Sequence, residues 1–325
     1  MKCAHLVYVC FLLFMLTGVL ASQGVPPTPL AQTSTPAAPE PVERQIRKAV
    51  AFITEVCLNG NAPIQVQGTG FWVAYPDSRL SGNRTFNYLV TNRHVAECWD
   101  NNRTPMRVLS VSVRLNLTDG TSKDIPCGTP EWIFPPDGSV DLAVTNANPD
   151  PKVYDIRTIP FSGFATEDVI KKESISEGLK ILFSGFFYQV PGLTQIEPIV
   201  REGVIAMMPD ENLITTTGKT GKIYLGEVHA FHGNSGSPVF VDVGGLRGVA
   251  LRGFDYRLLG VVSGGYSEGD QNNLIIENPL KDRPGNSGIA IIVPASELRV
   301  LLEDPRLVAT RDAAVSKETQ QASKK

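Results

Sequence analysis

Three short segments hold the side chains that could do covalent chemistry together. Residues 88–96 read YLVTNRHVA, an apolar strand that ends at a polar corner and presents His94. Residues 137–144 read DGSVDLAV, with Asp141 directly before an apolar run. Residues 232–240 read HGNSGSPVF, with Ser235 in a tight loop between glycines. A serine hydroxyl attacks well only when a base removes its proton, and histidine is the side chain that titrates near neutrality. The imidazole needs a buried carboxylate to hold its tautomer and balance the imidazolium. Glycines around the serine let backbone N–H groups point at a developing oxyanion. Each segment alone has a plainer explanation. A histidine after a strand is commonly a packing or surface residue, an Asp at a strand start a turn or cap, and Gly-x-Ser-Gly a turn. The conjunction, in the chain order His, Asp, Ser, is what points to acyl transfer. Asp137 is a rival carboxylate, but it lies in the Pro-Asp-Gly turn, so Asp141 is preferred.

The elements that must position these groups are short β-rich runs punctuated by Gly, Pro, Asn and Asp. They cover 51–56, 70–74, 87–91, 108–117, 141–145, 181–186, 204–208, 223–228, 237–241, 258–263 and 289–293. Many short strands at this spacing indicate an all-β barrel or sandwich. Thr118-Asp119-Gly120 reads as a turn joining two strands, since Asp-Gly readily takes up positive φ. Helical signals are few: one turn near the start of 41–53, and a C-terminal helix over 294–303 with Leu298, Leu301 and Leu302 on one face.

The chain has 325 residues, and Lys+Arg 30 against Asp+Glu 33 gives a formal net charge of -3. That balance argues against a nucleic-acid partner, which would call for clustered cations. Lys2 precedes an apolar stretch over 6–16, and Val19-Leu20-Ala21 supplies small residues at its end. Residues 1–21 therefore read as a signal peptide cleaved after Ala21, the rival being an uncleaved anchor over 4–21. Cleavage implies a secreted or periplasmic protein with no stable membrane insertion. Residues 22–42 are rich in Pro, Thr, Ala and Gln and read as an extended spacer. Residues 308–325 are polar and charged and are expected to fray. Export leaves Cys57, Cys98 and Cys127 in an oxidising compartment, where one pair should bridge. Asn83, Asn102 and Asn116 match the glycosylation acceptor pattern, a short motif that arises often by chance. Nothing in the sequence sets an oligomeric state.

The segments TNRHVA, DLAV and GNSGSPVF resemble the three catalytic motifs of trypsin-like, chymotrypsin-fold serine peptidases. Gly68-Thr-Gly-Phe-Trp-Val before the histidine and Gly260-Val-Val-Ser-Gly-Gly after the serine are similar too. Within that family GNSGSPVF is closer to bacterial glutamyl-endopeptidase-like and HtrA-like members, and no room remains for a PDZ domain. The resemblance implies two six-stranded antiparallel β-barrels with a short C-terminal helix and the site in the cleft between them. An N-terminal barrel over 43–160 would carry His94 and Asp141, and a C-terminal barrel with the helix over 161–307 would carry Ser235. Ser235 would be the nucleophile, His94 the general base, Asp141 its orienter, and the N–H groups of Gly233 and Ser235 the oxyanion hole. Ser263, Gly264 and Gly265 would offer an edge on which substrate backbone pairs as an added strand. In such a barrel the end of the first strand and the loop after the third share a rim. That favours a Cys57–Cys98 bridge, in a region many relatives cross-link, with Cys127 free. The pairs Cys57–Cys127 and Cys98–Cys127 stay open. The function implied is a secreted serine endopeptidase acting on polypeptide. The alternative is an inactive pseudopeptidase that binds peptides, although decayed members usually lose a triad residue and none is missing here.

Departures from the family pattern sharpen this. Asn234 stands where zymogen-type members have an Asp that pairs with a freed N-terminus, so trimming to a buried N-terminus should not be needed. His229 stands at the floor of the primary specificity pocket, where an Asp would select Lys or Arg. With Ala230 and Val262 nearby, this points to an apolar or small residue before the scissile bond, or to an acidic one read by His229. His232 reads either as a rim histidine or as a substrate contact. No metal or cofactor is expected, because His229 and His232 lack a third ligand at suitable spacing.

Overall fold

Short apolar runs through the first half of the chain build one largely antiparallel sheet. The computed structural model describes residues 40–322 apart from 81, 83, 101, 129, 245–254, 268–273 and 276–285. The expected signal peptide, nearly all of the spacer, and Asn83 lie outside the described residues. The chain enters through α1 (Val42–Lys48), the expected helical turn, where the Glu40 carboxylate meets Lys48 and Arg157. The strands of the first sheet are β1 (Val50–Asn59), β2 (Ala62–Pro76), β3 (Thr85–Thr91), β4 (Arg107–Asn116), β5 (Ser122–Gly128) and β6 (Ala143–Asn146). They pair in the order β5-β4-β1-β2-β3-β6, and β7 (Ile159–Pro160) adds in parallel to β2. The expected turn at 118–120 joins β4 to β5, with Gly120 at φ +86°.

The second sheet closes on itself. Its members are β8 (Lys180–Gly185), β9 (Ile199–Met207), β12 (Tyr224–Glu227), β13 (Pro238–Asp242), β14 (Tyr256–Ser267) and β16 (Asn286–Pro294). Pairing runs β13-β8-β9-β12-β16-β14, and β14 pairs back to β13, so the six strands form a closed barrel. A two-stranded hairpin, β10 (Leu213–Ile214) and β11 (Thr220–Gly221), leaves it between β9 and β12. The short β15 (Leu274–Ile275) lies against the end of β14.

Of the two six-stranded antiparallel barrels expected, the second sheet forms one that closes, and the first sheet sets its six antiparallel strands side by side. In the first, no pairing joins β5 to β6 among the described residues; residue Ile133 bridges Val144 instead. The cause is local. β5 is polar and exposed or partly exposed along its whole length, with Pro126 inside it, so it makes an edge strand.

Buried side chains join the two sheets. One cluster runs from Phe71, Tyr88 and Val90 to Phe240 and Val261, and on to Leu298 and Leu302 of α4 (Ala295–Leu302). Burying a side chain of this size contributes roughly 1.5–3 kcal/mol, so α4 is held by its leucine face as its spacing requires. Another short helix, α3 (Glu167–Glu173), buries no residue and carries no sequence pattern that announces it.

The C-terminal tail, expected to fray, is helical through its described residues. Residues 305–322 form α5 (Pro305–Ala322). Asp304 caps it by accepting the Arg306 N–H at 2.9 Å, and Pro305 starts it. Leu307 is buried in the shared core. Arg311, only 3% exposed, donates to Tyr88 Oη and to the Leu302 carbonyl, both at 2.9 Å, and lies over the Tyr75 ring. Composition suggested fraying because it registers too few apolar residues; the helix docks instead through Leu307 and one long cation that reaches the first sheet. No helix among the described residues is long and apolar enough to cross a membrane.

Arg311→Met should lower unfolding stability by about 1–3 kcal/mol in urea denaturation, since it orphans buried acceptors. Arg84→Met, at the exposed pair with Glu318, should change it by under about 1 kcal/mol. Equal losses would show that α5 is not anchored at Arg311.

Candidate active site

β3 delivers the chain to α2 (Arg93–Ala96), a single helical turn, and its second residue is His94. The imidazole is 4% exposed. Its Nδ1 lies 2.7 Å from Asp141 Oδ2, and its backbone N–H donates to Asp141 Oδ1 at 3.0 Å. Asp141 sits at the end of the 137–141 loop, just before β6, and is fully buried. Asn92, the residue before α2, donates through Nδ2 to the Asp141 carbonyl at 2.8 Å, so α2 and the Asp141 loop hold each other in place. Two hydroxyls reach the same carboxylate from the second barrel: Ser263 Oγ at 2.5 Å and Thr216 Oγ1 at 3.0 Å. Burial pushes the Asp141 carboxyl up, but the His94 charge and the hydrogen bonds from His94 and Ser263 outweigh it and lower it.

Ser235 is 6% exposed and lies in the loop before β13. That loop is locked by backbone bonds. Gly236 N–H donates to the Val262 carbonyl at 2.8 Å, Val262 N–H to Ser237 at 2.9 Å, and Ser237 N–H to Asn234 at 2.9 Å. β2 supplies the meeting point with His94. Thr69 N–H donates to the Ser235 carbonyl at 2.8 Å. A Cβ on Gly68 would stand 2.8 Å from Val95 Cγ1 and 3.3 Å from the Ser235 carbonyl, so the residue after His94 and the serine pack on the same glycine. Gly236 has φ +87° with the Thr69 carbonyl pressed against the space a Cβ would need, so only glycine fits. Thr69 Oγ1 donates to the Gly233 carbonyl at 2.6 Å and accepts the Phe186 N–H at 2.8 Å, which fixes the Gly233–Asn234 peptide. Asn234 is fully buried; its Oδ1 accepts from Phe231 N–H at 2.8 Å and its Nδ2 donates to the Phe186 carbonyl at 2.7 Å.

The remaining predicted residues fall out as follows. Asp137 accepts the Ser139 N–H at 2.8 Å and takes no part in the His94 contact described. His229 is exposed and stacks on Phe231, which also meets the Phe187 ring and the Arg201 guanidinium. His232 meets Tyr188 edge-on. The edge expected at 263–265 is shorter than anticipated. Gly265 pairs with Ala290 on one side and Ile275 on the other, because β15 folds against β14 there. Ser263 turns its hydroxyl inward to Asp141 rather than outward. Cys57 and Cys98 form the disulfide, at Cα–Cα 6.4 Å, and Cys127 is free and exposed. Asn116 uses both ends of its amide on Ile196, so it makes a poor glycan acceptor, whereas Asn102 is exposed.

Four residues at or beneath the site escaped the sequence reading. Thr69 and Thr216 look like ordinary strand and turn residues, and Asn92 like a helix cap. Glu55 sits in β1 where alternation places it without remark. It is fully buried, its Oε1 has no partner, and its Oε2 lies 3.3 Å from Cys98 Sγ. Desolvation pushes its carboxyl up to about 9. Glu55, Cys57 and Cys98 bring three ligand-type atoms within 4.8 Å, but the disulfide takes both sulfurs.

No protein-family model matches the chain, and no curated protein matches it. Among solved structures it is similar to an HtrA-type protease, AlgW, with a tripeptide, at TM-score 0.49 and 16% identity over 81% of this chain. It is also similar to Deg5, at TM-score 0.42 and 18% identity over 68% of this chain and 82% of that one. The chain spans 62% of the AlgW chain. Neither likeness bears on what this chain does; the side-chain geometry does.

Because Glu55 stays protonated in the fold, its stabilising contribution is complete below its unfolded value and is lost as pH rises toward about 9. Glu55→Gln has no such loss. In urea denaturation the variant should gain on the parent between pH 5 and pH 8, by up to about 1.4 kcal/mol per pH unit. A difference that does not vary with pH would mean the carboxyl ionises in place.

Proposed function

We propose that the chain is a serine endopeptidase that hydrolyses peptide bonds through an acyl-enzyme. The observation that carries this is the buried His94–Asp141 pair at 2.7 Å, packed through Gly68 beside the Ser235 loop. Ser235 Oγ attacks the carbonyl carbon while His94 Nε2 takes its proton. The tetrahedral oxyanion is met by the N–H groups of Gly233 and Ser235, on a loop already locked against β2 and β14. His94 then gives the proton to the leaving amine, and a water activated by His94 releases the acid product. Asp141 stays ionised throughout, holds Nδ1 as the protonated nitrogen, and balances the transient imidazolium.

The substrate in this account is a polypeptide, its backbone pairing beside Ser263 and Gly264. The enzyme acts outside the cytoplasm after cleavage behind Ala21. Asn234 supports activity without a freed N-terminus. Its amide is satisfied by Phe231 and Phe186, so the serine loop has its internal tether already and offers no carboxylate to an incoming amine.

Ser235→Ala should reduce peptide turnover by on the order of 10³ to 10⁶ while leaving the fold intact. Turnover equal to the parent's would contradict the assignment. Proteins beginning at different residues between 22 and 42 should have equal kcat/KM. A preparation that is inert until cut at one site would show that the Asn234 tether is not sufficient.

A further inference from the structure

The turn between β10 and β11 reaches across to the Asp141 loop and is built to stay there. Leu213 pairs with Gly221 and Ile214 with Thr220. The turn closes through Thr215 N–H to the Lys219 carbonyl and Gly218 N–H to the Thr215 carbonyl, both at 2.9 Å. A Cβ on Gly221 would sit 2.5 Å from Ser139 Oγ, so glycine permits β11 to lie directly on the 137–141 loop. The Lys219 side chain covers Gly138 on the same loop. The turn buries Thr216, which is 1% exposed.

Three oxygens then form a tight triangle. Thr216 Oγ1 and Ser263 Oγ are 2.5 Å apart, Ser263 Oγ and Asp141 Oδ2 are 2.5 Å apart, and Thr216 Oγ1 is 3.0 Å from the same Oδ2. Two hydroxyls own two protons between them. Two oxygens 2.5 Å apart repel unless a proton lies between them, so each of the two short edges holds one. Ser263 therefore donates to Asp141, and Thr216 donates to Ser263. A hydroxyl that accepts a hydrogen bond becomes a stronger donor, so Thr216 strengthens the bond Ser263 makes to the carboxylate.

We propose that Thr216 is a positioning residue for the Ser235 chemistry, acting through Ser263 on the carboxylate that holds His94; this rests on the peptidase reading. Its hydroxyl draws part of the Asp141 charge toward the second barrel. Asp141 therefore holds Nδ1 firmly without making His94 so basic that it remains protonated at working pH. Removing that hydroxyl returns charge density to the carboxylate, and His94 keeps its proton to higher pH.

Thr216→Val keeps the shape and loses the hydroxyl; Thr216→Ser keeps the hydroxyl. In the full chain without its first 21 residues, Thr216→Val should lower kcat about threefold on the acid side of its profile with KM changed less than about twofold. The acid limb of its kcat/KM profile should move up by about half a pH unit, and Thr216→Ser should restore both quantities. Thr216→Ala replaces the valine variant if that does not fold. The His94 imidazole titration, followed by NMR, reads the same effect in a protein that hydrolyses nothing. It should move upward in the valine variant and return in the serine one. A valine variant with the parent's kcat and the parent's His94 titration overturns the proposal. Parent protein that cleaves no peptide would sink the peptidase reading, and the NMR titration would still decide the part of Thr216.

Discussion

One buried negative charge, the Asp141 carboxylate, sets what the surrounding molecule has to provide. A carboxylate removed from water and left unpaired costs several kcal/mol, and breaking such a pair typically costs 3–5 kcal/mol. Here the charge is met by the His94 side chain and main chain and by Ser263, which Thr216 supports from behind. Those donors come from α2, β14 and the β10–β11 turn, segments far apart in sequence. The two sheets must therefore be assembled in one register before the charge is tolerable. Assembly of the site and assembly of the core are in that sense the same event.

The scaffold answers that requirement along β2. Gly68 and Thr69 lie where the His94 turn and the Ser235 loop press together, and Thr69 uses its backbone and its hydroxyl to hold the serine loop. Behind them the Cys57–Cys98 bridge joins β1 to the segment just after α2, so the His94 turn is tied at its far end as well. α5 clamps β2 and β3 through Arg311, which reaches Tyr75 and Tyr88. Closure of the second barrel by the β13–β14 pairing seats the strand that follows Ser235 against the strand that carries Ser263. Ser235, His94 and Asp141 are each held in place by hydrogen bonds, Ser235 through the backbone bonds of its loop, His94 through Asp141 and Asp141 through Asn92, which suits chemistry that depends on small displacements.

What the sequence revealed follows from what leaves a local mark. His94, Asp141 and Ser235 stood out because each sits in a short motif, and the structure brings the first two to 2.7 Å. The core strands were legible because burial forces apolar runs, and α4 because three leucines share a face. β5 was announced only by the turn at 118–120, because an exposed edge strand needs no apolar run. The frayed tail was misjudged because Arg311 anchors α5 by hydrogen bonds and stacking that composition does not register. Thr216 could not be found, since a threonine-rich turn looks alike whether it faces water or a buried carboxylate. The edge at Gly265 looked open because β15 has only two residues, too short a run to register as a strand in the sequence.

The central claim is that Ser235 is a nucleophile activated by His94, and covalent labelling tests it most directly. Mature protein would be incubated with a fluorophosphonate, and the adduct weighed and located by mass spectrometry beside a His94→Ala control. The account predicts one adduct per chain, on Ser235, forming at least about a hundredfold faster in the parent than in the control. Unlabelled parent protein, or labelling at the same rate without His94, would contradict it and favour a chain that binds peptides without cutting them.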